Sequence, residues 1–159
     1  MSDYWGNEAA GAILFDPSSK KFGLARRSAM VNEPGLLGTF GGAMESGDSV
    51  QETLDNELME EIGYFYPAEA SPLPVFEDGD NDFRYHNFVV NIDMSSFEPV
   101  LNWENDAIEW FSYAELNTLE ASESHFGLAW LLEQKGTHSA LKTIVRNEFP
   151  GSNNDPGMG

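Results

Sequence analysis

Three glutamates crowd a short stretch of this chain: in NELMEEIG, residues 56–63, they are Glu57, Glu60 and Glu61. Carboxylates packed this closely can exchange protons, accept hydrogen bonds or hold a cation. A hard divalent ion suits them well, because Mg²⁺ takes carboxylate oxygens together with waters and substrate phosphates. Their spacing sharpens the point. On a helical wheel of roughly 100° per residue, Val50, Leu54, Leu58 and Ile62 make one apolar stripe. Glu61 falls inside that stripe, Glu57 at its near edge and Glu60 further out. Side chains four apart stack on one helix face, so Glu57 and Glu61 lie one above the other at the margin of the buried side. A solvated acidic helix end accounts for Glu60 but not for Glu61. A carboxylate at a core margin needs a partner or bears a desolvation cost, and the helix contains no lysine or arginine. The macrodipole gives no help either, since its C-terminal end disfavours negative charge.

Other residues are candidates for the same chemistry. GTFGGAMESGDS, residues 38–49, is glycine-rich and would deliver backbone groups beside the carboxylates. Glu104, in LNWEND, could act as a base from a loop opposite the helix; a solvated loop glutamate is an equal reading, and Asp106 and Glu109 are weaker rivals. Arg26 and Arg27 are two of only eight basic residues. Strand alternation would point one inward, to a phosphate or a site carboxylate, and one outward; a surface salt bridge is the rival reading for each. Phe40, Phe83, Tyr85 and Trp103 could stack on a base, although core packing is the commoner use of such residues. The three histidines have no metal-ligand spacing, and His125 reads as a helix-start residue. DGDND, residues 78–82, lacks the glycine and glutamate an EF-hand loop needs and reads as a hairpin turn.

The composition limits what surrounds this chemistry. The chain has 159 residues, 41% hydrophobic and 13% aromatic, enough for one domain with a sizeable core. The expected limits are a single domain over 1–149 and a disordered tail over 150–159, which lacks apolar content. No leader and no membrane-spanning run are apparent. The absence of cysteine fits a cytoplasmic setting. A formal net charge of −19 argues against a nucleic-acid duplex or an anionic membrane as partner. It would also repel a polyphosphate unless cations intervened.

The elements that must position these residues are legible in outline. Strands are expected at 9–16 and 22–27, joined as a hairpin, then at 73–78, 83–94 and 107–111. The segment 36–49 cannot be one regular element. A helix runs from about 49 to 62, capped by Asp48 or Ser49 and stopped at Gly63. Ser112 and Glu115 form a capping box for a short helix. A further helix at 126–134 is stopped by Gly136, and a last helical stretch covers 138–149. Strands, helix, strands, helices in this order indicate an α+β fold or a compact αβα sandwich.

Together the glycine-rich loop and the helix form a pattern. GGAMESGDSVQETLDNELMEEIGY resembles the Nudix box, the signature of the Nudix hydrolase family. Gly42 opens the box, and Glu57, Leu58, Glu60, Glu61, Gly63 and Tyr64 follow in register. Asp48 stands in the first Glu position and Asn56 in the Arg position. The resemblance extends loosely over residues 8–134. It implies an αβα sandwich with a mixed sheet and a loop–helix–loop box. It also implies hydrolysis of a nucleoside diphosphate derivative, with Mg²⁺ or Mn²⁺ assisting. By resemblance, Glu57 and Glu61 hold metal, with Glu60 third and backbone carbonyls near Gly41 to Ala43 completing the shell, and the base is a box glutamate or Glu104. The substrate is expected against Gly41 and Gly42, with Phe40, Arg26 or Arg27 from the readings above. A small-molecule nucleotide is the implied partner, and a homodimer is possible. Asn56 is short and neutral, so it cannot give the charge-assisted, bidentate support of an arginine. A catalytically weakened nucleotide-binding module is therefore the alternative.

Overall fold

The expected hairpin opens the chain in a computed structural model that describes residues 7–146. Strand β1 (Glu8–Asp16) pairs antiparallel with β2 (Lys21–Arg27). The apolar run of β1 is buried along nearly its whole length because both of its faces are covered. Ile13 and Phe15 point to one core, with Phe22, Leu24, Val89, Leu128, Leu131 and Leu141. Ala12 and Leu14 point to the other, with Ala25, Phe40, Val90, Leu54, Leu58 and Ile62. Each of the larger of these, valine, leucine, isoleucine or phenylalanine, contributes roughly 1.5–3 kcal/mol when fully buried, and the two cores join the sheet to helices on both faces.

The remaining strands are β3 (Leu37–Gly38), β4 (Phe40–Ala43), β5 (Ala70–Pro72), β6 (Phe76–Asp78), β7 (Phe83–Asn91) and β8 (Asn105–Phe111). The path runs β3-β2-β1-β7-β5, with β4 on β1, β6 on β7 and β8 on β2. Only β1 and β7 pair in parallel, so the sheet is mixed, as expected. One edge of β1 is shared: Ala9 to Ala12 pair with β4, and Leu14 to Asp16 with β2. Helix α1 (Val50–Ile62) covers one face. The short α2 (Tyr113–Leu116), with α3 (Phe126–Glu133) and α4 (Lys135–Arg146), covers the other. The fold is thus α+β, an αβα sandwich.

Several expected boundaries shift. Of the strand expected at 73–78 only 76–78 forms, as β6; β5 precedes it and ends at Pro72, and Pro72 and Pro74 have no N–H for a continuous ladder. The strand expected to reach 94 ends at Asn91, where Asp93 turns the chain through bonds from Ser95. Gly136 does not stop α3. That helix ends when Gln134 adopts an extended ψ of 132°, and Gly136 sits in the first turn of α4. A Cβ at position 136 would lie 3.2 Å from Pro74, so the glycine serves close packing. The DGDND segment is the β6–β7 turn, closed by bonds from Asp80 N and Asn81 Nδ2 to the Asp78 carboxylate. The tail expected at 150–159, and the ends of the expected domain beyond 7–146, lie outside the described residues. Among the described residues no helix is long and apolar enough to cross a membrane.

Candidate active site

Helix α1 is built to hold its last two turns in place. Ser49, not Asp48, is its N-cap: the Ser49 hydroxyl accepts from Glu52 N, and the Glu52 carboxylate accepts from Ser49 N. Gly63 closes the other end at φ 76°, a left-handed conformation that glycine adopts without Cβ strain. Leu54, Leu58 and Ile62 are fully buried and fix the rotation of the helix. That rotation carries Glu61 inside, only 3% exposed, leaves Glu57 half-buried and keeps Glu60 in solvent.

The buried Glu61 and half-buried Glu57 carboxyl groups meet beneath β4. Gly41 N donates to Glu61 Oε2 at 3.1 Å, and Asn105 Nδ2 donates to Glu61 Oε1 at 2.9 Å. Glu57 faces Gly42 so closely that a Cβ there would lie 2.6 Å from Glu57 Oε1. Glu57 and Glu61 also lie within hydrogen-bonding reach of each other. Burial, then the bond from Glu57 and its charge, push the Glu61 carboxyl up to about 9. Burial first also raises Glu57, with the charges of Glu60, Glu104 and Glu45 adding to it. Without a cation, the pair therefore keeps a proton that ordinary carboxylates would have lost.

The loop between β7 and β8 brings Glu104 to this pair. Val100 N and Asn102 N donate to the carbonyls of Ile62 and Glu61, tying the loop to the helix end. Asn102 Oδ1 accepts from Glu104 N, its Nδ2 donates to Glu104 Oε1, and Ser28 N donates to the Glu104 carbonyl. The Glu104 charge is felt at both Glu57 and Glu61. The β2–β8 register shifts between Arg26 and Arg27, and the shifted pair is Arg27 with Asn105. Bulges re-aim side chains, and this one brings Arg27 and Asn105 to the wall of a single cavity.

That cavity, of about 390 Å³, is lined by Arg27, Thr39, Gly41, Glu61, Glu104 and Asn105, with Met30 and Trp103 at its wall. A second cavity, of about 320 Å³, shares Arg27, Thr39 and Gly41 with it and is walled by Phe76, Phe83, Tyr85 and Phe126. The Tyr85 hydroxyl lies 3.4 Å from Thr39 Oγ1. Burial pushes it up to about 12, so it keeps its proton.

Glu57, Glu61, Glu104, Arg27, Gly41 and Gly42 are brought together, and Glu60 flanks them from solvent. Arg26 is not part of the group: it makes a bidentate pair with Glu109, 2.7 and 2.8 Å, on the outer side of β2. This also removes Glu109 as a rival base. The Phe40 side chain is fully buried in the core against α1, so packing decides its use rather than a ligand. Arg27 bonds the carbonyls of Asn32 and Glu33 through Nε, and Asn32 again through Nη2. Asn56 is exposed, and among the described residues its side chain makes no hydrogen bond. Asn105 was not singled out from sequence. Its only signal was an amide within LNWEND, just before the expected strand, which is too common to stand out. His125 is the N-cap of α3, accepting from Gly127 N, as its position indicated.

The donor set fits a hard cation. Two carboxyl groups at hydrogen-bonding distance, one buried and one half-buried, with no lysine or arginine bonded to either among the described residues, suit a divalent ion as their partner. Among the described residues no three His, Asp or Glu side chains converge tightly enough to cage an ion by themselves. Waters, backbone carbonyls and substrate oxygens would have to complete the shell, which is the arrangement Mg²⁺ favours.

Comparison with known proteins agrees with the architecture. A NUDIX domain profile matches residues 7–131. The chain is similar in structure to a MutT protein from Methanosarcina mazei Go1, with TM-score 0.60 and 16% identity over 94% of this chain and 96% of that one. It is similar to a MutT NUDIX hydrolase from Burkholderia pseudomallei, with TM-score 0.58 and 24% identity over 81% and 97% of the two chains. An Ap4A hydrolase from C. elegans gives TM-score 0.58 and 12% identity over 87% and 96%. At these identities the structural likeness speaks for the fold. No curated protein matches the chain in sequence.

Proposed function

The chain belongs to the NUDIX family, and from that premise we propose that it is a pyrophosphohydrolase cleaving a nucleoside diphosphate derivative with the help of Mg²⁺ or Mn²⁺. The observation that carries this reading is the Glu57–Glu61 pair under the Gly41–Gly42 backbone, with Glu61 buried and, among the described residues, no lysine or arginine bonded to either carboxylate. Glu57 and Glu61 would hold the ion, with Glu60 beside them toward solvent. When bound, the cation neutralises phosphate charge and lowers the pKa of the attacking water.

The chain's own groups do the rest. Asn105 and Gly41 N fix the two oxygens of Glu61, so that its carboxylate is oriented before substrate arrives. Glu104, held from both sides by Asn102, takes the proton of the water that attacks phosphorus. The bond between that phosphorus and the bridging oxygen breaks, and the leaving phosphate carries the electron pair away. Arg27 faces the phosphates as the one arginine on the cavity wall. The Tyr85 hydroxyl, kept protonated by burial, is a donor on the wall of the adjoining cavity. A cytoplasmic setting and a small-molecule nucleotide partner belong to the same reading, and the solution mass tests the homodimer.

The test is phosphate release from NTPs, ADP-ribose, sugar nucleotides and dinucleoside polyphosphates, with Mg²⁺, Mn²⁺ or EDTA. Metal-dependent release should fall by a factor on the order of 10² or more in Glu61→Gln, the scale of losing a positioned acid–base or ligand group. A folded wild type that releases nothing from any of them would overturn the enzyme reading and favour a binding module, with Asn56 as its marker.

A further inference from the structure

Two cavities meet at Arg27, Thr39 and Gly41, and their walls differ. The first opens between β4, β7 and the start of α3 and is aromatic. Phe76 packs edge-on to Phe126 at 6.2 Å and to Trp130 at 5.2 Å, and Phe83 packs against Tyr85. Phe126 is nevertheless 57% exposed, with His125 tilted against it at 4.7 Å. Such a wall offers ring faces and edges at spacings that suit a further flat ring. The second cavity is polar on its floor but carries two large apolar side chains at its wall: Met30, 75% exposed, and Trp103, 64% exposed.

Trp103 is not a stray surface residue on a loose loop. The residues on either side of it are pinned, Asn102 to the Glu61 carbonyl and Glu104 to Ser28 N. The indole is therefore held out over the cavity by a fixed backbone, without a covering group among the described residues. Large exposed apolar side chains grouped at a concave site mark ligand contact. The strip common to both cavities is Arg27, Thr39 and Gly41, the strip that also adjoins Glu61.

We infer that the substrate is two-ended: a phosphate chain lying over Arg27 and Gly41, with one ring-bearing group in the aromatic cavity and a second stacked on Trp103. This rests on the hydrolase reading above and narrows it to dinucleotide-type compounds, in which two ring systems are joined through phosphates. Base–aromatic stacking tolerates any base, so the second group is recognised as a flat ring and not by its identity.

The experiment compares kcat/KM for a dinucleoside polyphosphate with that for a nucleoside triphosphate, in wild type, Trp103→Ala and Trp103→Phe. Wild type should favour the two-ringed compound by at least about tenfold, and Trp103→Ala should shrink that ratio about tenfold, mainly through KM, since one stacked base accounts for about that factor. Trp103→Phe should restore most of the ratio. Equal use of the two compounds by wild type, or a ratio untouched by Trp103→Ala, overturns the two-ended substrate while leaving the hydrolase intact. Hydrolysis of neither compound, nor of any other phosphate derivative, overturns the hydrolase reading itself.

Discussion

At the scale of single residues, the chemistry turns on one proton. In the fold, burial and Glu57 keep Glu61 protonated up to about 9, while in the unfolded chain it ionises near the ordinary 4.5. Across that window the native state binds more protons than the unfolded one, so stability falls as pH rises; below 4.5 the two states match and the contribution is whole. His125 is shifted down, by burial first and then by Arg27, so its slope has the opposite sign and lies below 6.5. The melting temperature in EDTA should therefore drop between pH 7 and 9. Glu61→Gln, or added Mg²⁺, should flatten that slope, and an unchanged slope in the variant would show that the pair does not hold the proton. Asn105 donates to Glu61 Oε1 and so orients that carboxyl group. Its replacement by alanine should weaken metal binding by roughly 10–100-fold, the usual effect of losing a partner behind a ligand. Calorimetric titration of Mn²⁺ measures this directly, and an unaltered affinity would deny Asn105 its positioning role.

At the scale of elements, β4 and α1 approach so closely that only glycine fits between them. The two glycines fail differently when enlarged. A Cβ on Gly42 meets only the mobile end of Glu57, at 2.6–2.9 Å. Gly42→Ala should therefore displace that carboxylate, removing most activity while leaving the melting temperature near wild type. A Cβ on Gly41 meets fixed backbone, Ala10 O at 2.2 Å and Gly11 Cα at 2.4 Å. Gly41→Ala should force β4 off β1 and cost about 1–3 kcal/mol, the range for overpacking. Urea unfolding and turnover, measured on both variants, separate the two cases. Similar loss of stability in both would mean that β4, not Glu57, yields at position 42.

For the molecule as a whole, charge is the governing quantity. A net charge of −19 on 159 residues implies self-repulsion in the compact state. Raising NaCl from about 0.01 to 0.15 M shortens the Debye length from about 30 to 8 Å, and the melting temperature should rise with it. At equal ionic strength Mg²⁺ should raise it further, because site binding adds to screening. If NaCl and MgCl₂ act alike at matched ionic strength, the site does not bind Mg²⁺ appreciably in the free protein.

Much of this was readable before any coordinates. The period of Val50, Leu54, Leu58 and Ile62 fixes a helix, its caps fix the ends, and the four-residue interval from Glu57 to Glu61 puts two carboxylates on one side of it. These are local properties, set by backbone geometry and side-chain spacing within a few turns. The same is true of the Ser112–Glu115 capping box and of the DGDND turn. What lay beyond the sequence were distances between segments far apart in the chain. Arg26 and Arg27 look alike as letters, and only the pairing of β2 with β8, with its bulge, sends one to Glu109 and the other to the cavity. Phe40 is indistinguishable from a ligand-stacking residue until the packing of α1 on β4 buries it. Asn105 becomes a partner of Glu61 only because the loop between β7 and β8 folds back on the end of α1. Local propensity determines which elements form and which faces they offer; the tertiary packing of those faces decides which side chains meet, and here it decided which carboxylates are left to share a proton.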